Sequence, residues 1–466
     1  MDDFRTTQAA SRTAASQCDA LVLFGATGDL ARRKIYPALQ ALAGLDVLKI
    51  PVVALARGEL NDDGLRELVR QSLDQHDRVE PAAFARLAAQ LRYLRGDYRE
   101  ASTYERLRTM LQNARHPLYY LAIPPDLFPD VVAQLGAAQL GHGRVVVEKP
   151  FGRDLESART LNGAIRSVFP EEEVFRIDHY LGKEAVQNLV YFRFANSFLE
   201  PLWNRNFVQS VQVTMAEQIG VEGRGSFYEQ VGAVRDVIQN HLLQTVANIA
   251  MEAPLTRAAS REERAKVLRS IRPLTAGDLV RGQYRGYRQE NGVDPRSDVE
   301  TFAALRLHLD SWRWADVPFY IRAGKRLPVT STEVIVTLRH PPMVMFEEAL
   351  PAHSNYYRFQ LGPKTVSIAL GARTKSPGTG MKGEHAELYF CDKQAGEMSA
   401  YERLIWDAIR GDALLFAHED SVEAAWQVVD GALREASPVL PYEPGTWGPE
   451  AAGAIAAGDG GWCNPK

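Results

Sequence analysis

From residue 20 to 178, short apolar runs alternate with longer amphipathic stretches, the sequence form of βαβ units building a mostly parallel sheet. The runs predicted as strands are Ala20–Phe24, Pro51–Ala56, Leu91–Leu94, Leu118–Ile123, Arg144–Glu148 and Val174–Ile177. Helices are predicted between them near residues 29–43, 61–90, 100–114, 126–139 and 154–168, with Asn61 and Asp126 as N-caps. Past about residue 200 the pattern turns β-rich. Strands are predicted over Val208–Thr214, Phe302–Leu309, Phe319–Arg322, Glu333–Leu338, Tyr356–Leu361, Val366–Leu370 and Glu387–Phe390, and long helices only over about 226–251, 400–413 and 418–436. The expected fold is an α/β Rossmann-type dinucleotide-binding domain, residues 18–178, followed by a large α+β domain with a mainly antiparallel mixed sheet, residues 179–466. The tail from Tyr442, rich in Gly, Pro and Ala, is expected to lie along the surface or to be partly disordered, and the polar stretch up to Gln17 to be a loose arm.

Length supports the two-domain division, because 466 residues exceed what one core usually organises. Apolar content of 45% with 24% charge is that of an ordinary globular chain, and no apolar run approaches the ~20 residues of a membrane helix. A net charge of -4 without Lys/Arg blocks gives no footprint for a nucleic-acid backbone. The three cysteines, Cys18, Cys391 and Cys463, have neither metal-ligand spacing nor the even count of a disulfide framework, which fits a reducing cytoplasm. Small molecules are the expected partners.

The first βα turn carries Gly25-Ala26-Thr27-Gly28-Asp29-Leu30-Ala31, glycines placed where a pyrophosphate meets backbone N–H groups and a helix N-terminus. A bare glycine turn is the competing reading, weakened by its position in the array. Where an NAD-selective fold puts an acid for the ribose 2′-hydroxyl, this chain has Arg57, which suits the 2′-phosphate of NADP. The neighbouring Glu59 would repel that phosphate if it pointed inward, so NAD use stays open. Asp97 and Tyr98, after the third strand, are weaker cofactor contacts. Two polar segments then hold an uncommon density of chemistry: Arg176-Ile-Asp178-His179-Tyr180-Leu-Gly-Lys183-Glu and Arg235-Asp236-Val-Ile-Gln-Asn-His241. Together they suggest an oxidoreductase acting on a polar, anionic substrate.

These segments, with Gly25–Pro37, Glu148-Lys149-Pro150-Phe-Gly and Ala323-Gly-Lys325-Arg-Leu, resemble the motifs of glucose-6-phosphate dehydrogenases, in that family's order and over nearly the whole chain. The resemblance implies oxidation of glucose 6-phosphate at C1 to the 1,5-lactone with hydride transfer to NADP, the first step of the oxidative pentose phosphate pathway, in a cytoplasmic homodimer or homotetramer. It implies His241 as the base, a role its ordinary pKa suits, with Asp178 holding the ring and Lys183 beside them. It also implies His179, Tyr180 and Lys183 as phosphate ligands, Glu217 and Asp236 as partners of sugar hydroxyls, and Lys34, Lys149 and Lys325 as further contacts to substrate, with Lys149 also on the cofactor. Met out of context, Lys183 would be a solvated lysine and Glu217 and Asp236 surface carboxylates. No metal is required by such chemistry, and no cluster has metal spacing. One departure matters: Thr330 stands where the family has a second basic residue, and Arg326 is the nearest cation to replace it. This leaves open a related NAD(P)-dependent sugar dehydrogenase with a different C6 substituent, and a non-catalytic NADP sensor is the remaining alternative.

Overall fold

The structure is a computed structural model describing residues 17–465 apart from 77, 257, 342–353, 364, 379–382, 395–398 and 436. The expected N-terminal arm lies almost wholly outside the described residues. The chain forms two compact units. The first runs to Gly152, resumes over Glu156–Gly182, and takes in a later segment ending at Glu419; the second holds Arg153–Leu155 and, that segment apart, the rest from Lys183 onward. The sequence pattern put the division at 178/179 and assigned the later segment to the second domain.

In the first unit the strands are β1 (Ala20–Phe24), β2 (Val52–Ala56), β3 (Leu91–Arg95), β4 (Pro117–Leu121), β5 (Arg144–Glu148) and β6 (Val174–Ile177). They form one parallel sheet in the order β3-β2-β1-β4-β5-β6. Strands covered on both faces tolerate apolar side chains in every register, which is why β1, β2, β4 and β5 are buried at each position. The order reverses between β1 and β4, and ligands of such sheets bind beyond the strand C-termini at that switch point.

Helix boundaries follow local chemistry. The stretch 61–90 is two helices, Asp62–His76 and Pro81–Gln90, because Pro81 has no N–H to continue the first and a fixed φ suited to starting the second. Asn61 caps the first as expected, its Oδ1 accepting the Gly64 N–H at 2.8 Å. Asp126 does not occupy a cap position. Pro125 starts a 3₁₀ turn, Pro125–Leu127, that places Asp126 inside it, and helix Phe128–Ala137 follows. The first helix opens as a π-helix, Ala31–Ile35, before Tyr36–Gly44. The late segment supplies helix Ala400–Arg410, begun by a reciprocal Ser399–Glu402 capping box and ended by Gly411 at φ 75°. Its Leu404, Ile405, Ala408 and Ile409 are buried in the same core as Leu21, Leu23, Tyr120 and Phe175.

The second unit is built on β7 (Val208–Ala216), β8 (Leu279–Tyr284), β9 (Phe302–His308), β10 (Pro318–Gly324), β11 (Ser331–Leu338), β12 (Tyr356–Leu361), β13 (Thr365–Lys375), β14 (Gly383–Gln394) and β15 (Val439–Tyr442). The order is β14-β13-β12-β11-β7-β10-β9-β8-β15, antiparallel except at β7/β10 and β8/β15. Helices Glu184–Ala195 and Ser260–Ser270, and strands β8 and β15, were not among the predicted elements. The tail from Tyr442 lies along the surface, as expected, and it is held in place there. Arg322 lies over the rings of Trp447 and Trp462 at 4.4 and 4.7 Å and donates to the Cys463 carbonyl and Asn464 Oδ1. Two such cation–π contacts, each worth about 0.5–2 kcal/mol, together with these hydrogen bonds, fasten the tail to the sheet. Among the described residues no helix is long and apolar enough to cross a membrane.

Candidate active site

Gly25 ends β1 at the switch point with φ 78°, and a Cβ there would stand 2.1 Å from the Ala122 carbonyl oxygen beyond β4. Only glycine lets the chain turn this tightly and bring its backbone to a phosphate. The loop is braced from several sides: the Gly25 N–H donates to Tyr98 Oη at 3.0 Å, the Gly28 N–H to the Gly25 carbonyl at 2.8 Å, and Tyr36 Oη to the Ala26 carbonyl at 2.7 Å. Tyr98, 8% exposed, therefore supports the loop through Gly25. Ala26 is buried, Thr27, Gly28 and Leu30 are half-buried, and exposed Asp29 is paired with Arg33 at 2.6 Å. Asp97 is half-buried and accepts the Arg99 N–H; Lys34 is exposed on the π-helical turn.

Arg57 is exposed immediately beyond β2. The loop that bears it is pinned by Tyr93 Oη, which donates to the Gly58 carbonyl at 2.6 Å. Glu59 is held by Arg95 at 2.8 Å, so its charge is offset by a second guanidinium at the end of β3, in register with Ala56. Sequence reasoning missed Arg95. The signal was present in the parallel pairing of β2 with β3, which sets their C-terminal residues side by side.

At the end of β5, Glu148 is buried, with Tyr120 Oη donating to its Oε1 at 2.6 Å and the Tyr401 hydroxyl also hydrogen-bonded to it. Burial pushes this carboxyl up to about 7, against the opposing pull of the two phenols and of Lys149. The Lys149-Pro150 peptide that follows is cis. After β6, Asp178 is buried and its Oδ1 accepts the Tyr180 N–H at 2.9 Å; Tyr180 is buried, His179 half-buried, and their rings meet edge-on with centroids 5.4 Å apart.

In the second unit Lys183 is the N-cap residue of helix Glu184–Ala195. Asp236 and His241 share a π-helix, Val234–Leu242. Its i→i+5 bonding widens each turn, so residues five apart stand closer together around the axis than they would on an α-helix. His241 is 2% exposed, and its N–H donates to Asn240 Oδ1 at 2.7 Å. The π-helix starts at a kink. Gly232 has φ 61° and ψ 179°, and the buried Glu300 accepts the Val234 N–H at 3.1 Å while pairing with Arg281 at 2.9 Å. Nothing in the sequence pattern had marked Glu300, because its partners are far from it along the chain.

Lys325 pairs with Glu217 at 2.5 Å and lies 5.6 Å from the Tyr228 ring centroid. Its carbonyl accepts Tyr442 Oη at 2.6 Å, so the tail fixes this lysine's backbone. Thr330 Oγ1 accepts the Gln218 N–H at 3.0 Å. Arg326 is engaged by Glu222 at 2.9 Å and Glu290 at 3.8 Å, which commits the cation expected to stand in for the missing basic residue.

The sequence profile of the glucose-6-phosphate dehydrogenase NAD binding domain matches residues 22–188, and that of the glucose-6-phosphate dehydrogenase C-terminal domain matches residues 190–463. The chain belongs to the glucose-6-phosphate dehydrogenase family. Glucose-6-phosphate 1-dehydrogenase 1 of Mycobacterium tuberculosis is 41% identical over 452 residues, 96% of each chain. The Aggregatibacter actinomycetemcomitans glucose-6-phosphate 1-dehydrogenase is 41% identical over 483 aligned positions, 96% of this chain and 97% of that one. Among solved structures, the Mycobacterium avium enzyme superposes with a TM-score of 0.91 at 41% identity, covering 97% of this chain and 99% of that one. A glucose-6-phosphate dehydrogenase in complex with glucose 6-phosphate superposes at 0.87 and 32% identity, covering 97% and 100%. Membership accounts for the parallel nucleotide sheet and the large mixed sheet, and it supports a nicotinamide cofactor for the NAD binding domain, residues 22–188.

Proposed function

We propose that the chain is an NADP-linked glucose-6-phosphate 1-dehydrogenase, oxidising the sugar at C1 to 6-phospho-D-glucono-1,5-lactone. What carries the reading is similarity over the whole chain, 97% of it aligned with a family member that holds glucose 6-phosphate. A nicotinamide cofactor, when bound, supplies the acceptor for the hydride leaving C1. His241 takes the proton of the C1 hydroxyl as that hydride departs, and Asp178 holds the imidazole in the required tautomer and stabilises its protonated form. His179, Tyr180 and Lys183 grip the phosphate through charge-assisted hydrogen bonds, while Glu217, Asp236 and Lys325 orient the sugar. Lys34 and Lys149 complete the contacts to the anionic ligands.

The Gly25 turn suits a pyrophosphate because a Cβ there would collide with the Ala122 carbonyl, so only glycine keeps the loop backbone in this tight turn after β1. The choice of NADP over NAD rests on Arg57 at the end of β2: with Glu59 held by Arg95 at the end of β3, no uncompensated carboxylate opposes a 2′-phosphate there. Cytoplasmic location and a homodimer or homotetramer complete the proposal. The deciding experiment follows absorbance of the reduced nicotinamide with glucose 6-phosphate and NADP or NAD in parallel. Rapid reduction of NADP supports the reading, and no reduction of either cofactor by protein that binds NADP refutes it.

Thr330, with Arg326 committed elsewhere, favours as second reading a sugar bearing another C6 group. Higher kcat/KM on a C6-sulfonated or C6-amino analogue than on glucose 6-phosphate would select it.

A further inference from the structure

Lys325 lies on a turn that the chain does not enter freely. Its successor, Arg326, has φ 52°, left-handed backbone that favours glycine and strains a longer side chain. Such a conformation persists only where the surroundings over-determine it. Here hydrogen bonds reach every peptide around the lysine. The Lys325 N–H donates to the Thr301 carbonyl at 2.9 Å, the Arg326 N–H to the Ile219 carbonyl at 3.0 Å, and the Leu327 N–H to the Glu217 carbonyl at 2.9 Å. The carbonyls of Lys325 and Arg326 are satisfied from the end of the chain: Tyr442 Oη donates to the first at 2.6 Å, and the Gly445 N–H to the second at 2.7 Å. Tyr442, the last residue of β15, is 4% exposed. Its phenol has one proton, which the bond to Lys325 uses, so the Thr301 hydroxyl 3.1 Å away is the donor of that second contact, and it also accepts the Tyr284 N–H at 2.9 Å. Thr301 therefore grips Lys325 twice, directly through its carbonyl and again through Tyr442. The Lys325 ammonium meets the Glu217 carboxylate at 2.5 Å, and the Glu217 carbonyl holds Leu327, so the ion pair and the strained turn are one piece of structure.

We propose that Tyr442 is a positioning residue for the sugar site. Its hydroxyl fixes the Lys325 carbonyl and thereby the direction in which the Lys325–Glu217 pair presents its charge and hydrogen bonds to the sugar. A turn ordered in advance spares the ligand the cost of ordering it, so the effect is read in sugar affinity and not in the affinity for the nucleotide. This role rests on the reading of Lys325 and Glu217 as sugar-contacting residues.

The test compares the intact wild-type protein with Tyr442→Phe, Lys325→Ala and the double variant, each well below its melting temperature. Calorimetry gives the dissociation constant of glucose 6-phosphate, and steady-state kinetics give kcat and KM. Tyr442→Phe removes one oxygen and leaves the buried ring in place. It is expected to weaken glucose 6-phosphate binding and to raise its KM by roughly three- to tenfold, the loss of one buried hydrogen bond, with a smaller change in kcat and none in NADP affinity. In the Lys325→Ala background the same change is expected to cause no further loss, because the side chain it positions is gone. A residue that only stabilised the fold would act equally in both backgrounds. Unchanged sugar affinity in Tyr442→Phe, or an equal loss with and without the lysine, overturns the proposal. Sugar binding that follows the expected pattern without oxidation refutes the dehydrogenase reading alone, and a wild type that binds no glucose 6-phosphate refutes both.

Discussion

Replacing Glu300 by alanine removes the group that starts the π-helix carrying Asp236 and His241. The carboxylate is 2% exposed, accepts the Val234 N–H at 3.1 Å, and faces Arg281 Nη2 at 2.9 Å and Nε at 3.1 Å. Removing one partner of a buried ion pair costs about 3–5 kcal/mol, because the other charge stays buried. Arg281 keeps bonds to the Ser437 and Asp298 carbonyls, which places the expected loss near the lower end, about 3 kcal/mol. For a unit of this size that lowers Tm by roughly 6–12 °C. Loss of the cap at Val234 loosens the turn that bears His241, so kcat is expected to fall by about tenfold or more, while binding of the proposed cofactor NADP, assigned to the other unit, is expected to stay within about twofold. Calorimetry, steady-state kinetics and fluorescence titration check the three parts. A drop in Tm below about 2 °C with kcat unchanged would show that Glu300 neither anchors the helix nor positions its residues.

Gly25→Ala forces a side chain into φ 78° against the Ala122 carbonyl, and it is expected to cost at least ~2 kcal/mol of stability and weaken NADP binding more than tenfold, both read by titration and thermal melts. His241→Ala should lower kcat by ~10²-fold or more with NADP affinity nearly intact; unchanged turnover removes it from the reaction. Arg57→Ala and Arg95→Ala should each weaken NADP more than NAD, by about tenfold for Arg57, and equal losses for both nucleotides would reduce these residues to packing or stacking roles. Glu148 is held at about 7 in the folded protein against 4.5 ordinarily, so the folded state carries the extra proton between these values. Its contribution to stability, about 3 kcal/mol, is complete below about pH 4.5 and is lost as pH rises through 7; Glu148→Gln should flatten that part of the wild-type denaturation profile.

The parallel sheet was legible because strands buried on both faces need unbroken apolar runs, and β1 and β5 coincide with the predicted runs residue for residue. Helix Glu184–Ala195 was not, because Tyr191, Phe192 and Phe194 are equally at home in strands and its apolar positions form no clean stripe. Helix Ser260–Ser270 is so rich in Arg and Glu that little apolar period remains. A π-helix differs from an α-helix by one residue per hydrogen-bonded ring, a distinction no hydrophobic period of a nine-residue stretch resolves, so the type of helix that carries Asp236 and His241 was not legible. The candidate residues themselves were visible through motif resemblance. Their supports, Glu300, Tyr442 and Arg95, were hidden because each acts across a long separation in sequence.

The route of the chain through the first unit has a bearing on biosynthesis. Leu21, Leu23, Tyr120 and Phe175 share a core with Leu404, Ile405, Ala408 and Phe416, residues made some two hundred positions after β6. A ribosome that has released the six parallel strands has therefore delivered a sheet with part of one apolar face uncovered, together with a Glu148 that lacks Tyr401. Closure waits for nearly the whole polypeptide, so the nucleotide-binding unit matures late despite its early place in the message, and in the interval its open face is a natural target for chaperones.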